Sequence, residues 1–224
     1  SEAMTSNIAV VAVAAGDGLK TLMKSAGLGV TSIVDGGDTM NSSVADLLTA
    51  VETAPSNHVI LLPNNKNIVP AAQQVSALTD KTVKVVPTCS VQTGIAALVA
   101  LRLDQSIDEN AEAMNEIMSE VGEGRICKAT KNVTINQHEI RKGMTFGTFN
   151  DNIITVDQDP LIVLTELIKT QSDQADIVTV YTGEMVDSEQ IEETTKILIN
   201  QFDTVDIEVV YGGQPHYDYL IAVE

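Results

Sequence analysis

The chain has 224 residues, 44% of them hydrophobic but only 3% aromatic, and a formal net charge of −18. That length holds one large domain or two small ones, at roughly 100–200 residues each, around a core that must be aliphatic. The charge excludes partners that reward basic patches, nucleic acid and anionic membrane surfaces, and leaves room for a basic protein partner.

Cys89 and Cys127 stand far apart without CxxC spacing. They read as two reduced core residues rather than a zinc site or a disulfide framework. His58, His138 and His216 offer no HxH or HxxxH pair, so no metal site is expected. No run approaches the roughly 20 apolar residues of a membrane span. No basic segment followed by an apolar one opens the chain. A cytoplasmic protein is expected. Ser1-Glu2-Ala3 ahead of Met4 reads as an expression remnant. Residues 1–7 are thus tag or linker, and the chain reads as a piece of a longer protein.

Ile8 to Ala14 (IAVVAVA) has the composition of a buried strand. Gly16-Asp17-Gly18 then turns the chain into a helix marked by Leu19, Leu22, Met23 and Ala26 and stopped at Gly27. Gly16-x-Gly18 lacks the third glycine of a dinucleotide fingerprint and the Gly-Lys-Ser/Thr of a P-loop, so a tight turn is its better reading. Val30 to Val34 is a second strand. The glycine-bearing loop DGGDTMNSS follows, with Ser42 or Ser43 as cap of a helix carrying Val44, Leu47, Leu48 and Val51.

Val59 to Leu62 is a third strand, stopped by Pro63 and followed at once by Asn64, Asn65, Lys66 and Asn67. Ile68, Ala71, Ala72 and Val75 then recur at helical spacing. Pro70 fits only a first turn, which puts the N-cap near Asn67. Val83 to Val86 is a fourth strand, broken by Pro87 and followed by Thr88-Cys89-Ser90 and a helix through Ile95, Leu98, Val99 and Arg102. Strands alternating with helices make a parallel sheet with helices on both faces.

Ser106-Ile-Asp-Glu109 forms a capping box for a helix through Met114 and Met118, ended by Gly122-Glu-Gly124. The period then shifts to two. Arg125 to Thr130, Val133 to Ile135, Met144 to Asn150 and Ile153 to Val156 read as strands of an antiparallel meander, with a hairpin turn at Asn150-Asp-Asn152. A helix starts at Pro160, a strand spans Asp176 to Tyr181, and a helix runs from Ser188 to about Phe202. Strands at Ile207 to Val210 and Leu220 to Val223 flank a turn at Gly212-Gly-Gln-Pro215. The expected fold is α/β with two lobes: a Rossmann-like parallel sheet over residues 8–104 and a mixed-sheet α/β lobe over 105–224.

Polar loops that follow parallel strands lie on one edge, where open α/β sheets bind ligands. The candidate binding residues there are Thr39, Met40, Asn41, Asn64, Asn65, Lys66, Asn67, Thr88 and Ser90. Gly212, Gly213 and Gln214 are candidates on a second loop, beside His216 and three tyrosines. The same residues serve equally well as turns and caps. They supply donors, acceptors and one cation but no paired acid and base, so no catalytic residue is assigned.

In the order in which they occur, VAVAAGDGLKTLMKSAG, DGGDTMNSS, VILLPNNKNIVPAAQQV, VPTCSVQTGIAAL and GGQPHYDYLIAVE resemble the C-terminal domain of the bacterial fatty acid kinase A subunit, over about residues 8–224. Proteins of this type are also labelled dihydroxyacetone-kinase-like. The resemblance implies a DegV-like fold. It further implies a parent chain with an N-terminal kinase domain, where ATP and magnesium bind, and a middle domain. No cofactor is expected on this domain. The implied partners are the lipid-binding B subunit, the chain's own kinase and middle domains, and a second copy in a homodimer. The sequence departs from the family near Asp38 and Ser42, where a glutamine and a proline are expected, and at Cys89-Ser90. Two functions are therefore carried forward: a non-catalytic module that docks the B subunit or dimerises the kinase, and a domain holding a fatty acid or phosphorylated metabolite between its lobes.

Overall fold

The computed structural model describes residues 8–25, 28–36 and 42–224. The backbone clusters into two compact units, one of residues up to 15 and 19–121, the other of 16–18 and 122–224.

In the first unit β1 (Ile8–Ala14), β2 (Ser32–Asp35), β3 (His58–Leu62) and β4 (Thr82–Val85) form a parallel sheet in the order β2-β1-β3-β4. Alternate residues of a strand face opposite sides. Ala9, Val11 and Val13 of β1 and Val59 and Leu61 of β3 accordingly join one apolar cluster with Leu47 and Val51 of α2 (Val44–Thr53) and Ala72 and Val75 of α3 (Val69–Val75). Ile60 and Leu62, on the other side of β3, are also fully buried. On that side α5 (Ile107–Met118) packs on β3, β4 and α4 (Val91–Val99). The expected parallel sheet with helices on both faces is therefore present.

Local chemistry sets the helix starts. Ser43, Ser90 and Ser106 each close a capping box, with Asp46, Thr93 and Glu109 as reciprocal partners. The third helix differs from expectation: its N-cap is Ile68, not Asn67. Asn65 is the reason. Its Oδ1 accepts from Asn67 N, while its carbonyl accepts from Ile68 N and Val69 N, so the turn consumes one residue more. The helix α1 spans Asp17–Lys24, and the Gly27 stop lies outside the described residues.

The sequence pattern places the break between units at 104/105; the contacts divide the chain after Val121. Asn110 explains why α5 stays with the first unit. Fully buried, it accepts from Arg102 N at 2.7 Å and donates to Arg102 O at 2.8 Å, so it ties the α4–α5 connection to the helix that follows.

In the second unit β5 (Gly122–Lys128), β8 (Thr145–Phe149), β9 (Asn152–Asp157), β10 (Ile177–Gly183), β11 (Asp206–Gln214) and β12 (Tyr217–Val223) form a mixed sheet in the order β11-β10-β12-β5-β8-β9. Only β10 and β11 pair in parallel. Its aliphatic core joins α6 (Pro160–Gln171) and α7 (Ser188–Gln201) to the sheet through Val163, Leu167, Val180, Leu198 and Ile221. Asn150 and Asp151, at φ 46° and 65°, make the expected tight hairpin turn.

Four details depart from the sequence pattern. Gly122-Glu-Gly124 begins β5 instead of ending a helix, because the three residues pair with Val223, Ala222 and Ile221 of β12; the Phe149 ring covers Gly122. β6 (Val133–Ile135) and β7 (His138–Ile140) form a separate hairpin rather than part of the meander. β11 runs on through Gly212, Gly213 and Gln214, so the turn before the last strand is Pro215-His216, with His216 at φ 68°. Cys89 is exposed rather than in the core, because it sits on the loop between β4 and α4.

Candidate functional site

At the carboxyl edge of the parallel sheet, Asn64 and Thr88 are both buried, 6% and 0% exposed. Thr88 Oγ1 donates to Asn64 Oδ1 at 2.7 Å and accepts from Asn64 N at 3.0 Å. Asn64 Nδ2 donates to Val13 O at 2.9 Å. Together they tie the ends of β1, β3 and β4. Asn64 holds φ 54°, a left-handed conformation that asparagine tolerates better than most residues. The side chain lies against Gly94 of α4, where a Cβ would sit 2.0 Å from Asn64 Oδ1. Thus two of the expected ligand groups are spent on internal bonds.

The rest of the motif faces outward. Asn65 is half-buried and shapes the turn, while Lys66 and Asn67 are exposed. Ser90 is buried and caps α4. Thr39, Met40 and Asn41 lie outside the described residues. The edge therefore presents the Lys66 ammonium on a rigid turn.

Gly212, Gly213 and Gln214 are buried. Gln214 Nε2 donates to Tyr181 O at 2.8 Å and to Tyr217 O at 3.5 Å, which bridges β10 and β12. Both partners are acceptors, so the amide orientation is fixed, and Gln214 Oε1 is left buried without a partner. The glycines admit the turn at residues 16–18: a Cβ on Gly18 would lie 2.0 Å from Tyr211 O. The Gly16-x-Gly18 and Gly212-Gly213 motifs are thus two sides of one close backbone packing.

Sequence reasoning missed a pair of adjoining clefts in the second unit. The larger, about 340 Å³, is walled by Asp159 at the cap of α6, Pro160 and Leu161 of α6, Gln190, Glu193 and Thr194 of α7, and Tyr219. The smaller, about 150 Å³, lies beside Gln214, His216 and Tyr217. Lys128, Met185, Val186 and Asp218 border both. The available signal was Gly183-Glu-Met-Val186, another strand-to-helix turn, with an apolar side chain where polar ones are usual. Met185 is 84% exposed.

Burial holds the Asp218 carboxyl above its ordinary range, against the pull of Lys128, and its Oδ2 has no hydrogen-bond partner. Burial and the Asp218 charge push the Cys127 thiol up to about 11. Among the described residues no three His, Cys, Asp or Glu side chains are grouped to hold a metal ion. No helix among them is long and apolar enough to cross a membrane.

An uncharacterized protein of Staphylococcus epidermidis is 33% identical over 225 residues, covering 100% of this chain and 40% of its own length. The chain thus spans about 40% of the curated relatives it matches. In structure it is similar to the DegV family protein Cg2579 of Corynebacterium glutamicum, with a TM-score of 0.65 at 14% identity, covering 100% of this chain and 98% of that one. It is also similar to the Streptococcus pneumoniae fatty acid kinase B3 protein loaded with linoleic acid, with a TM-score of 0.53 at 11% identity, covering 82% of this chain and 76% of that one. These likenesses establish a DegV-like fold. Residues 9–224 match the FakA-like C-terminal family, the C-terminal domain of fatty acid kinase A-type subunits and their like, and the chain belongs to that family.

Proposed function

We propose that this domain is a non-catalytic module of a cytoplasmic fatty acid kinase A subunit. It docks the lipid-bearing B subunit or joins the kinase into a dimer, so that an acyl carboxylate meets ATP and magnesium on a separate kinase domain of the parent chain. The observation that carries this reading is the fate of the edge polar groups in a domain of this family. Asn64 and Thr88 bond to each other and to β1, leaving Lys66 as an exposed cation on the turn that follows β3. An ammonium on a rigid support suits recognition of a partner's carboxylate, and an exposed charge acts mainly on encounter rate and register.

The test is calorimetric titration of the 224-residue chain with lipid-loaded B subunit, repeated with Lys66→Ala. Micromolar or tighter binding, weakened in the variant, supports docking at this edge. Wild-type fatty acid phosphorylation by a parent chain lacking residues 8–224 overturns the reading.

A second reading, a domain that itself holds a fatty acid or phosphorylated metabolite, draws support from the fold shared with the linoleic-acid-loaded B3 protein. A ligand retained in native mass spectra, with a thermal shift on adding acyl ligands, favours it.

A further inference from the structure

The last strand carries an irregularity beside the clefts of the second unit. Tyr217 pairs with Cys127 and Tyr219 with Ile126, so Asp218 is the extra residue of a β-bulge in β12. A bulge re-aims the side chain it adds. Here the Asp218 side chain lines both clefts. Among the described residues three buried side-chain atoms lack a hydrogen-bond partner, and two of them, Asp218 Oδ2 and Gln214 Oε1, belong to side chains that line the smaller cleft. Gln214 is 1% exposed, and its Nε2 is already spent on Tyr181 O and Tyr217 O. Both orphaned atoms are acceptors. A buried acceptor without a donor is costly and rare in folded proteins, so two of them on one cleft call for a donor from outside the chain.

The charges of the lining set the sign of that donor. Four carboxyl groups, of Asp159, Glu184, Glu193 and Asp218, stand against one ammonium, of Lys128. Asp159 Oδ1 is used to cap α6 at Leu161 N, whereas Glu184 and Glu193 are exposed. The ion pairs among the described residues include none of the four. Pro160, Leu161 and Val186 add apolar surface to the larger cleft, whose volume of about 340 Å³ lies in the range of small-molecule pockets, roughly 300–1,000 Å³. A metal ion does not meet this description, since no three His, Cys, Asp or Glu side chains among the described residues are grouped to hold one. An acyl carboxylate would meet like charge. We propose that these clefts bind a small alkylamine, an alkane diamine or polyamine, with one ammonium on Asp218 and the methylenes against Leu161 and Val186. Glu184 and Glu193 are left for a second ammonium.

Amine binding is independent of partner docking, and its test involves no B subunit, so the two fail separately. The 224-residue chain is titrated by calorimetry with cadaverine, pentylamine and pentanoate at physiological salt. Saturable binding of cadaverine, weaker binding of pentylamine and none of pentanoate are expected. Asp218→Asn removes the charge and keeps the shape. It should weaken cadaverine binding at least tenfold while the thermal midpoint holds or rises, a split that a residue kept only for the fold would not give. Glu112→Gln removes an exposed carboxylate of α5, in the first unit, and should leave binding unchanged. That control separates the clefts from the general attraction of a chain of net charge −18. No saturable amine binding, or binding that Asp218→Asn and Glu112→Gln change alike, overturns the proposal. Binding of pentanoate in place of the amines also overturns it, and favours the acyl ligand.

Discussion

Asn64 and Thr88 hold each other by two hydrogen bonds running in opposite directions: the hydroxyl donates to the amide oxygen at 2.7 Å and accepts from the Asn64 backbone at 3.0 Å. Because Asn64 also reaches Val13, this pair fixes three strand ends. Asn64→Ala strands two buried groups and places alanine at a positive φ, so a loss of roughly 2–4 kcal/mol is expected. Thr88→Val keeps the shape, removes both bonds, and should cost about 1–3 kcal/mol. Urea denaturation of both variants checks the order.

Gly94 guards the same pair. A Cβ there would fall 2.0 Å from Asn64 Oδ1, and that oxygen is pinned by Thr88. Gly94→Ala should therefore destabilise by roughly 1–3 kcal/mol, although alanine is the better helix former. A variant as stable as wild type would show that Asn64 can swing aside.

Lys66→Ala should leave stability within about 0.5 kcal/mol, because the side chain is exposed and the Asn65 turn does not use it. Its effect belongs in the association rate with a B subunit and in the salt dependence of that rate. Stopped-flow mixing at two salt concentrations separates this from a stability effect.

Asp218 gives the fold a pH dependence of definite sign. Burial raises its folded value above the ordinary 3.8. Below 3.8 the carboxyl is protonated in both states. As pH rises past it, the unfolded chain ionises first, so this residue's contribution to stability is lost as pH climbs through the folded value. Asp218→Asn should raise Tm by roughly 1–3 °C at pH 7 and by nothing below about pH 3.5. Calorimetry at the two pH values reads the difference.

The two cysteines should differ in reactivity. Cys89 is exposed, whereas Cys127 is partly buried with its thiol pushed up to about 11. At pH 8 roughly one Cys127 in a thousand is thiolate. Iodoacetamide should label Cys89 first and reach Cys127 only after unfolding, as peptide mass mapping would show.

Local patterns were enough to locate the elements and to place the chain in its family. The apolar run Ile8–Ala14, the box Ser106-x-x-Glu109 and Pro160 mark a strand and two helix starts within a residue or two, because caps, prolines and periodicity act over one turn of chain. The ordered motifs NNKN and GGQP carry the family resemblance. What those motifs do emerges only once the chain is folded. Asn64 binds Thr88, 24 positions away, and Val13, 51 away, and no local pattern announces such partners. For the same reason Gln214 reads as a loop residue in sequence and is a buried bridge between strands in the fold. The clefts beside Met185 draw on β5, α6, α7 and β12, segments brought together only when their apolar faces are buried, and burial is a property of the folded chain rather than of any stretch of it.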